Sequence, residues 1–400
     1  MELKNWAENI AFNARAVHRP SSVDQLQRLV AGATRIRALG SGHSFNDVAD
    51  TTGDLVILDA MTGDPELDTD GGRVRVGART TYAELAPFLD RAGFGLANLA
   101  SLPHISIGGS VATATHGSGD LNRCLADAVS EIDLVTADGS LVTIGRGDPD
   151  LPGAVVSLGG LGVVTALTLD LVPAFTLRQY VRAGLEPDAD LNAIMSAGYS
   201  VSLFTDWDTT RVWLKRRAEL TDELWYGTHP EPEQTHPVPG MPAGSCTEQL
   251  GEPGPWHERL PHFRHDAPPS SAGDELQSEF LIPRGLAGEA LAALRAVRDR
   301  IRPVLQISEI RTVAADELWL SPFRGRDSVG VHFTWVRDVA AVLPVIALVE
   351  EVLAPYEPRP HWGKLFTRWP ECPADFRELA DRYDPGGKFA NRFLRILLEE

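Results

Sequence analysis

Gly40-Ser41-Gly42-His43-Ser44-Phe45 follows directly on the strand-like run Ile36-Arg37-Ala38-Leu39. Small residues on both sides of one histidine mark a backbone that wraps closely around a ligand, because glycine reaches conformations barred to other residues. A glycine-rich turn after a strand presents successive N–H groups, which form a concave seat for an anion such as a diphosphate. A phosphate seat has no need of an imidazole, so His43 is read as touching something other than phosphate. Ser106-Ile107-Gly108-Gly109-Ser110-Val111-Ala112-Thr113-Ala114-Thr115-His116-Gly117 is a second segment of the same texture. Together they point to a large nucleotide cofactor held between two lobes.

Neither segment is a Rossmann fingerprint, which needs strand, spaced glycines and helix together. Gly40-Ser41-Gly42 lacks the third glycine, and Gly160-Leu161-Gly162 has Thr165 in its place. Around these motifs, residues 22–180 alternate strand and helix signals. Ser22 caps a helix over 22–30. Arg35 to Leu39 and Leu55 to Leu58 read as short strands, and Arg73-Val74-Arg75-Val76-Gly77 alternates as a strand does. Thr81-Tyr82-Ala83-Glu84 is a capping box opening a helix that ends near Gly93. Asp138-Gly139, between Ile132–Thr136 and Leu141–Ile144, predicts a hairpin. Val163 to Val172 predicts a strand ended by Pro173.

From about Thr176 the texture changes. Strands are predicted over 176–181, 200–206, 212–215, 277–282 and 329–335, with helices over 285–301 and 338–353. Long strands with few crossovers predict an antiparallel sheet backed by helices. Residues 227–256 hold seven prolines and read as a long surface loop. Asp266-Ala267-Pro268-Pro269-Ser270-Ser271 is a second turn-rich patch. His361 to Glu400 reads as a return to the first lobe, ending in a short helix over 391–398.

A chain of 400 residues exceeds one ordinary core, so two domains are the default. The net charge of −18 repels nucleic acid and anionic lipid. Three dispersed cysteines, Cys124, Cys246 and Cys372, argue against a disulfide framework and fit a reducing compartment. The first residues carry no basic head before an apolar stretch, so no signal peptide is expected. No run approaches the ~20 apolar residues of a membrane helix. The expectation is a cytoplasmic monomer with no nucleic-acid or membrane partner.

The polar candidates lie elsewhere. Residues two apart in a strand share a face. Glu309-Ile310-Arg311 therefore reads either as a surface ion pair or as two groups projecting into a polar pocket. His332-Phe333-Thr334 repeats the pattern, and two such strands side by side would line a hydroxyl-rich site. Lys364, in His361-Trp362-Gly363-Lys364, either snorkels or faces an anion. Ser101 is a core hydroxyl or a ligand contact. His257, His262 and His265 cluster, but the spacing is not that of a zincin, and they read as solvated loop histidines with no metal.

The set 40–46, Ala100-Ser101-Leu102-Pro103-His104-Ile105-Ser106, 112–119, Glu309-Ile310-Arg311-Thr312 and His361-Trp362-Gly363-Lys364 resembles the alditol oxidases, which are vanillyl-alcohol-oxidase-type FAD flavoproteins. The resemblance runs nearly end to end, through Val201–Trp207 and Pro255–Phe263. It implies an α+β fold: a two-lobed FAD-binding domain over 1–177, a substrate cap with an antiparallel sheet backed by helices over 178–360, and a C-terminal segment over 361–400 returning to the FAD domain. It implies a covalent 8α bond from His43 to FAD. It assigns cofactor contacts to Gly40, Ser41, Gly42, His43, Ser44, Ser101, Ser106, Gly109, Ser110, Val111, Ala112 and Thr113, with Gly162 and Val163 near the adenine. It places Ser101, Glu309, Arg311, His332, Thr334 and Lys364 around a polyol.

Of these, Arg311, Lys364, Glu309 and His332 are the catalytic candidates. The two cations would stabilise a developing alkoxide, and Glu309 or His332 would serve acid–base chemistry. The activity implied is oxidation of the terminal hydroxyl of xylitol or sorbitol to the aldose, with dioxygen reduced to hydrogen peroxide. A sugar-lactone dehydrogenase on the same fold is the alternative, and a non-catalytic carbohydrate-binding protein a remote one.

Overall fold

The computed structural model describes residues 2–61, 63–267 and 274–399. Of the turn-rich patch at 266–271, residues 268–271 lie outside them.

The N-terminal elements form a three-stranded and a five-stranded sheet, and Phe94–Gly95 pairs with Val172–Pro173 as a short ribbon. Ala16–His18, Asp54–Val56 and Ile36–Ala38 pair in parallel with the 54–56 strand central. Glu66–Asp68, Arg73–Gly77, Val163–Asp170, Val129–Val135 and Leu141–Gly145 form an antiparallel sheet in that order. Local chemistry sets the ends. Ser22 accepts from Gln25 N at the start of Val23–Gly32. Thr81 and Glu84 close the capping box of Tyr82–Arg91. The hairpin opens beyond the Val135–Leu141 pair, wider than a two-residue turn. Asp138 Oδ1 accepts from Thr136 Oγ1 and Ser140 N there, and Gly139 takes φ +88°.

The larger sheet has nine strands. Its main path runs His229–Pro230, Thr176–Ala183, Thr210–Arg216, Ser200–Thr205, Leu305–Val313, Ser328–Val336, Glu275–Pro283 and Arg359–Pro360, with Gly254–Pro255 added at Thr176–Leu177. The pairings within it are antiparallel, as the sequence predicts. Register splits the sheet by face. Phe280, Val331, Phe333 and Trp335 belong to one apolar cluster with Ala290, Leu294, Val342, Ile346, Val349 and Leu353 of two covering helices. The alternate positions, among them 277, 309, 311, 332 and 334, face the other way. Two to three apolar side chains per strand removed from water, at roughly 1.5–3 kcal/mol each, hold the helices on the first face.

The helix predicted over 285–301 divides into Ala287–Ala296 and Arg298–Ile301. By length and composition, Val339–Tyr356 is apolar enough to cross a membrane, contrary to the reading from sequence. About a third of that window is buried inside the molecule, on the sheet. Towards the C-terminus, Phe376, Leu379, Phe389, Phe393, Leu394 and Leu397 join the cluster that holds Leu26, Val30, Val56 and Val163. Arg37 ties the same parts together, donating to the carbonyls of Leu158, Gly159 and Phe389.

Candidate active site

Between the glycine segments and the polar face of the nine-stranded sheet lies a cavity of about 320 Å³. Both sides contribute: Gly40 to Asn46, Gly108 to Ser110, Thr113 and Gly162 from one, and Glu309, Arg311, His332, Thr334 and Lys364 from the other.

The two glycine segments are stitched together. Ser41 N donates to Ser106 Oγ at 3.2 Å, and Ser106 N donates to Ser41 Oγ at 3.1 Å. A Cβ on Gly40 would fall 2.5 Å from Ser106 Oγ, so any other residue there forces the Ser106 side chain to move. Gly42 takes φ +73°, the left-handed region that favours glycine. The N–H groups of Gly40, Gly42, His43 and Ser44 donate to no other described residue. Four such N–H groups on a cavity wall, with no Cβ in the way at two of them, fit the phosphates of a dinucleotide.

His43 stands at the edge of that seat, stacked on Trp6 with ring centroids 5.0 Å apart. Burial, helped by His104, pushes its pKa down to about 4, so the imidazole is neutral. Ser106, Val111 and Val163 do not reach the cavity wall. Ser106 acts through Ser41, while Val111 and Val163 are core residues. Ser110 lines the wall and bonds the buried Tyr82 hydroxyl at 2.8 Å.

On the sheet side the paired strands do what their alternation predicts. Glu309 faces His332 and Arg311 faces Gly330 across the Leu305–Val313 and Ser328–Val336 strands. Arg311 and Glu309 form a buried pair at 3.6 Å, which removes the surface-ion-pair reading. Arg311 Nη1 also reaches Ser101 Oγ at 3.5 Å. Lys364 Nζ is buried and lies 2.7 Å from His332 Nδ1, and His332 Nε2 lies 3.1 Å from Thr334 Oγ1. An ammonium can only donate, so Nδ1 accepts and Nε2 carries the hydrogen. Burial and Lys364 push His332 down to about 4, consistent with that neutral tautomer.

Sequence reasoning missed the carboxylate that gathers these groups. Glu279 accepts from Arg311 Nη2 at 3.1 Å on both oxygens and from Lys364 Nζ at 2.5 Å. His116 Nε2 lies 3.2 Å from Oε1 and His332 Nδ1 3.7 Å from Oε2. Burial alone would raise the Glu279 pKa, but Arg311, Lys364 and His116 hold it well below the usual carboxylate range. His116, Glu279 and His361 stand close enough to share a metal ion. Arg311 and Lys364 already occupy that carboxylate.

The histidine cluster needs correction. His262 is not a solvated loop residue: it is buried, with Nε2 3.1 Å from Glu309 Oε1. Behind it Lys215 Nζ lies 3.4 Å from Nδ1 and also donates to Leu260 O. Burial pushes Lys215 down to about 7. The proline-rich stretch is not only surface either, since His236, Pro237 and Val238 help to line the cavity. Gln277 and His361 are further wall residues to which the sequence reading gave no role.

Residues 14–145 match the FAD binding domain family, and residues 274–397 match the D-arabinono-1,4-lactone oxidase family. The alditol oxidase of Streptomyces sp. (strain IKD472 / FERM P-14339) is 53% identical over 99% of this chain and 98% of that protein. This chain belongs to the alditol oxidase family. As a family member it is an FAD-dependent oxidoreductase, and both glycine segments fall within the matched FAD-binding region. The L-gulono-1,4-lactone dehydrogenase of Mycobacterium tuberculosis (strain CDC 1551 / Oshkosh) is 30% identical over 98% of each chain. Cholesterol oxidase from B. sterolicum superposes with a TM-score of 0.78 over 99% of this chain and 96% of that one, at 15% identity. That likeness is one of fold alone.

Proposed function

We propose that this member of the alditol oxidase family oxidises the terminal primary hydroxyl of an alditol such as xylitol or sorbitol to the aldose. Two electrons and two protons leave the alcohol, and dioxygen takes them up as hydrogen peroxide. The observation that carries the reading is the convergence of Ser101, Glu309, Arg311, His332, Thr334 and Lys364 on one cavity wall. FAD, when bound, supplies the hydride acceptor.

The protein's own groups do the rest. Glu309, Thr334 and Ser101 pair with the remaining hydroxyls of the chain. A wall built to hydrogen-bond several hydroxyls rejects simple alcohols, because its buried polar groups would be left unpaired. Arg311 and Lys364 hold negative charge on the reacting oxygen as its proton departs. That proton leaves toward the Lys364–His332 pair, where Lys364 stands hydrogen-bonded to the one imidazole nitrogen that carries no hydrogen. His43, neutral and stacked at the rim of the phosphate seat, is proposed to carry FAD through a covalent 8α bond. Three free cysteines support a cytoplasmic setting.

The test is peroxide formation from xylitol in air, without added dye. Peroxide at a rate that saturates with xylitol supports the reading, and its absence overturns it. A second reading, oxidation of a sugar lactone with another electron acceptor, is favoured by the match of residues 274–397 to the lactone oxidase family. Dye reduction with L-gulono-1,4-lactone and none with xylitol would select it. For the covalent bond, yellow colour that stays in the pellet after acid precipitation is expected of the wild type. In His43→Ala any flavin should move to the supernatant. Flavin still in the His43→Ala pellet would sink that assignment.

A further inference from the structure

Glu279 stands behind the polar wall and not in it. The residue is 1% exposed and is not among those that line the cavity. The fold keeps space for it. Glu279 faces His332 in register. Opposite Arg311 on the Ser328–Val336 strand is Gly330, where a Cβ would come within 2.7 Å of Glu279 Oε1. A side chain at 330 would force that carboxylate oxygen to move.

The chemistry explains why a carboxylate belongs there. Arg311 and Lys364 are two like charges in one dry wall, and each is long enough to swing away from the other. Uncompensated buried charge is strongly unfavourable. A carboxylate bound to both removes their repulsion and holds both side chains, with the directional strength of charge-assisted hydrogen bonds. Donors aimed before the substrate arrives need no reorganisation when negative charge develops.

We propose that Glu279 is a positioning residue for the alditol reaction: a buried carboxylate that aims Arg311 and Lys364 at the reacting hydroxyl without touching substrate itself. The proposal rests on the function proposed above. It also has a consequence for the Lys364 proton. Lys364 is faced by Glu279, His332, Arg311, Glu309, His116 and His361. Burial and Arg311 lower its pKa, while Glu279 and Glu309 work in the opposite direction. With the Glu279 charge removed, Lys364 loses its proton at lower pH.

The experiment uses the flavin-loaded protein as wild type, Glu279→Gln and Glu279→Asp. Two quantities are read: the rate of flavin reduction by xylitol, and the pH dependence of acetylation of the Lys364 amine by acetic anhydride, followed by mass spectrometry. Glu279→Gln should slow reduction by about 10- to 100-fold, the scale of loss when a residue that orients a metal ligand is removed. Its Lys364 labelling curve should shift to lower pH. Glu279→Asp keeps the charge and shortens the reach. It should keep the wild-type labelling curve and lose rate. A folded Glu279→Gln with wild-type rate and labelling overturns the proposal. If that variant does not fold, Glu279→Asp with wild-type rate overturns it. If wild type turns over no alditol, the functional reading fails, and the labelling shift still decides whether Glu279 governs Lys364.

Discussion

The two sides of the cavity hold their ligands by opposite means. The glycine side works with backbone: N–H groups of Gly40, Gly42, His43 and Ser44, brought close by a serine pair that links positions 41 and 106. The sheet side works with side chains. Ser101, Glu309, Arg311, His332 and Lys364 come from four separate segments, and Glu279 from a fifth, and they meet only when the sheet is assembled. The backbone seat at 40–44 tolerates little added volume, and His43 is the titrating group within it. The side-chain wall is crowded with charge, so its weakness is loss of charge or proton and not loss of space.

That contrast sets distinct failures. The largest effect belongs to the wall. Arg311→Met or Lys364→Met should lower kcat by roughly 10²–10³, the cost of one lost donor to a developing oxyanion. Flavin content should remain that of the wild type. Stopped-flow reduction together with the absorbance ratio checks both, and a loss of flavin instead of rate would break the comparison.

Next comes acid. His262 and His332 have pKa values near 4 in the fold, against 6.5 in the unfolded chain. The unfolded state therefore binds more protons between those values. Stability is undiminished above about pH 6.5 and falls as pH drops toward 4. Each group contributes up to about 1.4 kcal/mol per pH unit. Thermal melts from pH 7 to 4 should show a shallower decline for His262→Gln than for wild type, and an unchanged slope would remove His262 from the account.

On the backbone side, Gly40→Ala should cost about 1–3 kcal/mol, as overpacking does. It should reduce flavin occupancy while leaving turnover per bound flavin alone. A drop in turnover per flavin would mean the two sides are not separable. The smallest effect lies outside both regions. Thr81→Ala removes the capping box of Tyr82–Arg91 and should cost about 1 kcal/mol with no change in kcat.

The same contrast explains what was legible in the sequence. Features written within a few residues were readable: the Ser22 cap, the Thr81 box, the Asp138-Gly139 hairpin, and the glycine seat itself. Glu309-Ile310-Arg311 and His332-Phe333-Thr334 were readable as face-sharing pairs because a strand has period two. Glu279 carried the same signal, since Glu275, Gln277 and Glu279 alternate with Leu276, Ser278 and Phe280. It passed unnoticed because its partners, Arg311 and Lys364, lie 32 and 85 residues away. His262 and Lys215 were hidden for another reason. A histidine beside prolines looks solvated until Glu309, 47 positions on, is seen to meet it. Ser106, Val111 and Val163 stand apart from the residues that line the cavity, and a segment of small residues does not show in sequence which of its positions face inward.

The pairing of Glu279 and Glu309 with Arg311 and Lys364 brings two negative and two positive charges into one enclosure. An uncharged polyol carries no net charge for a long-range field to pull on, even though the whole molecule carries −18. Screening by salt acts on long-range attraction between charges, and here there is none to screen. The apparent affinity for xylitol should therefore stay level as ionic strength rises, which would let an enzyme of this build meet its substrate equally well in dilute and in salty surroundings.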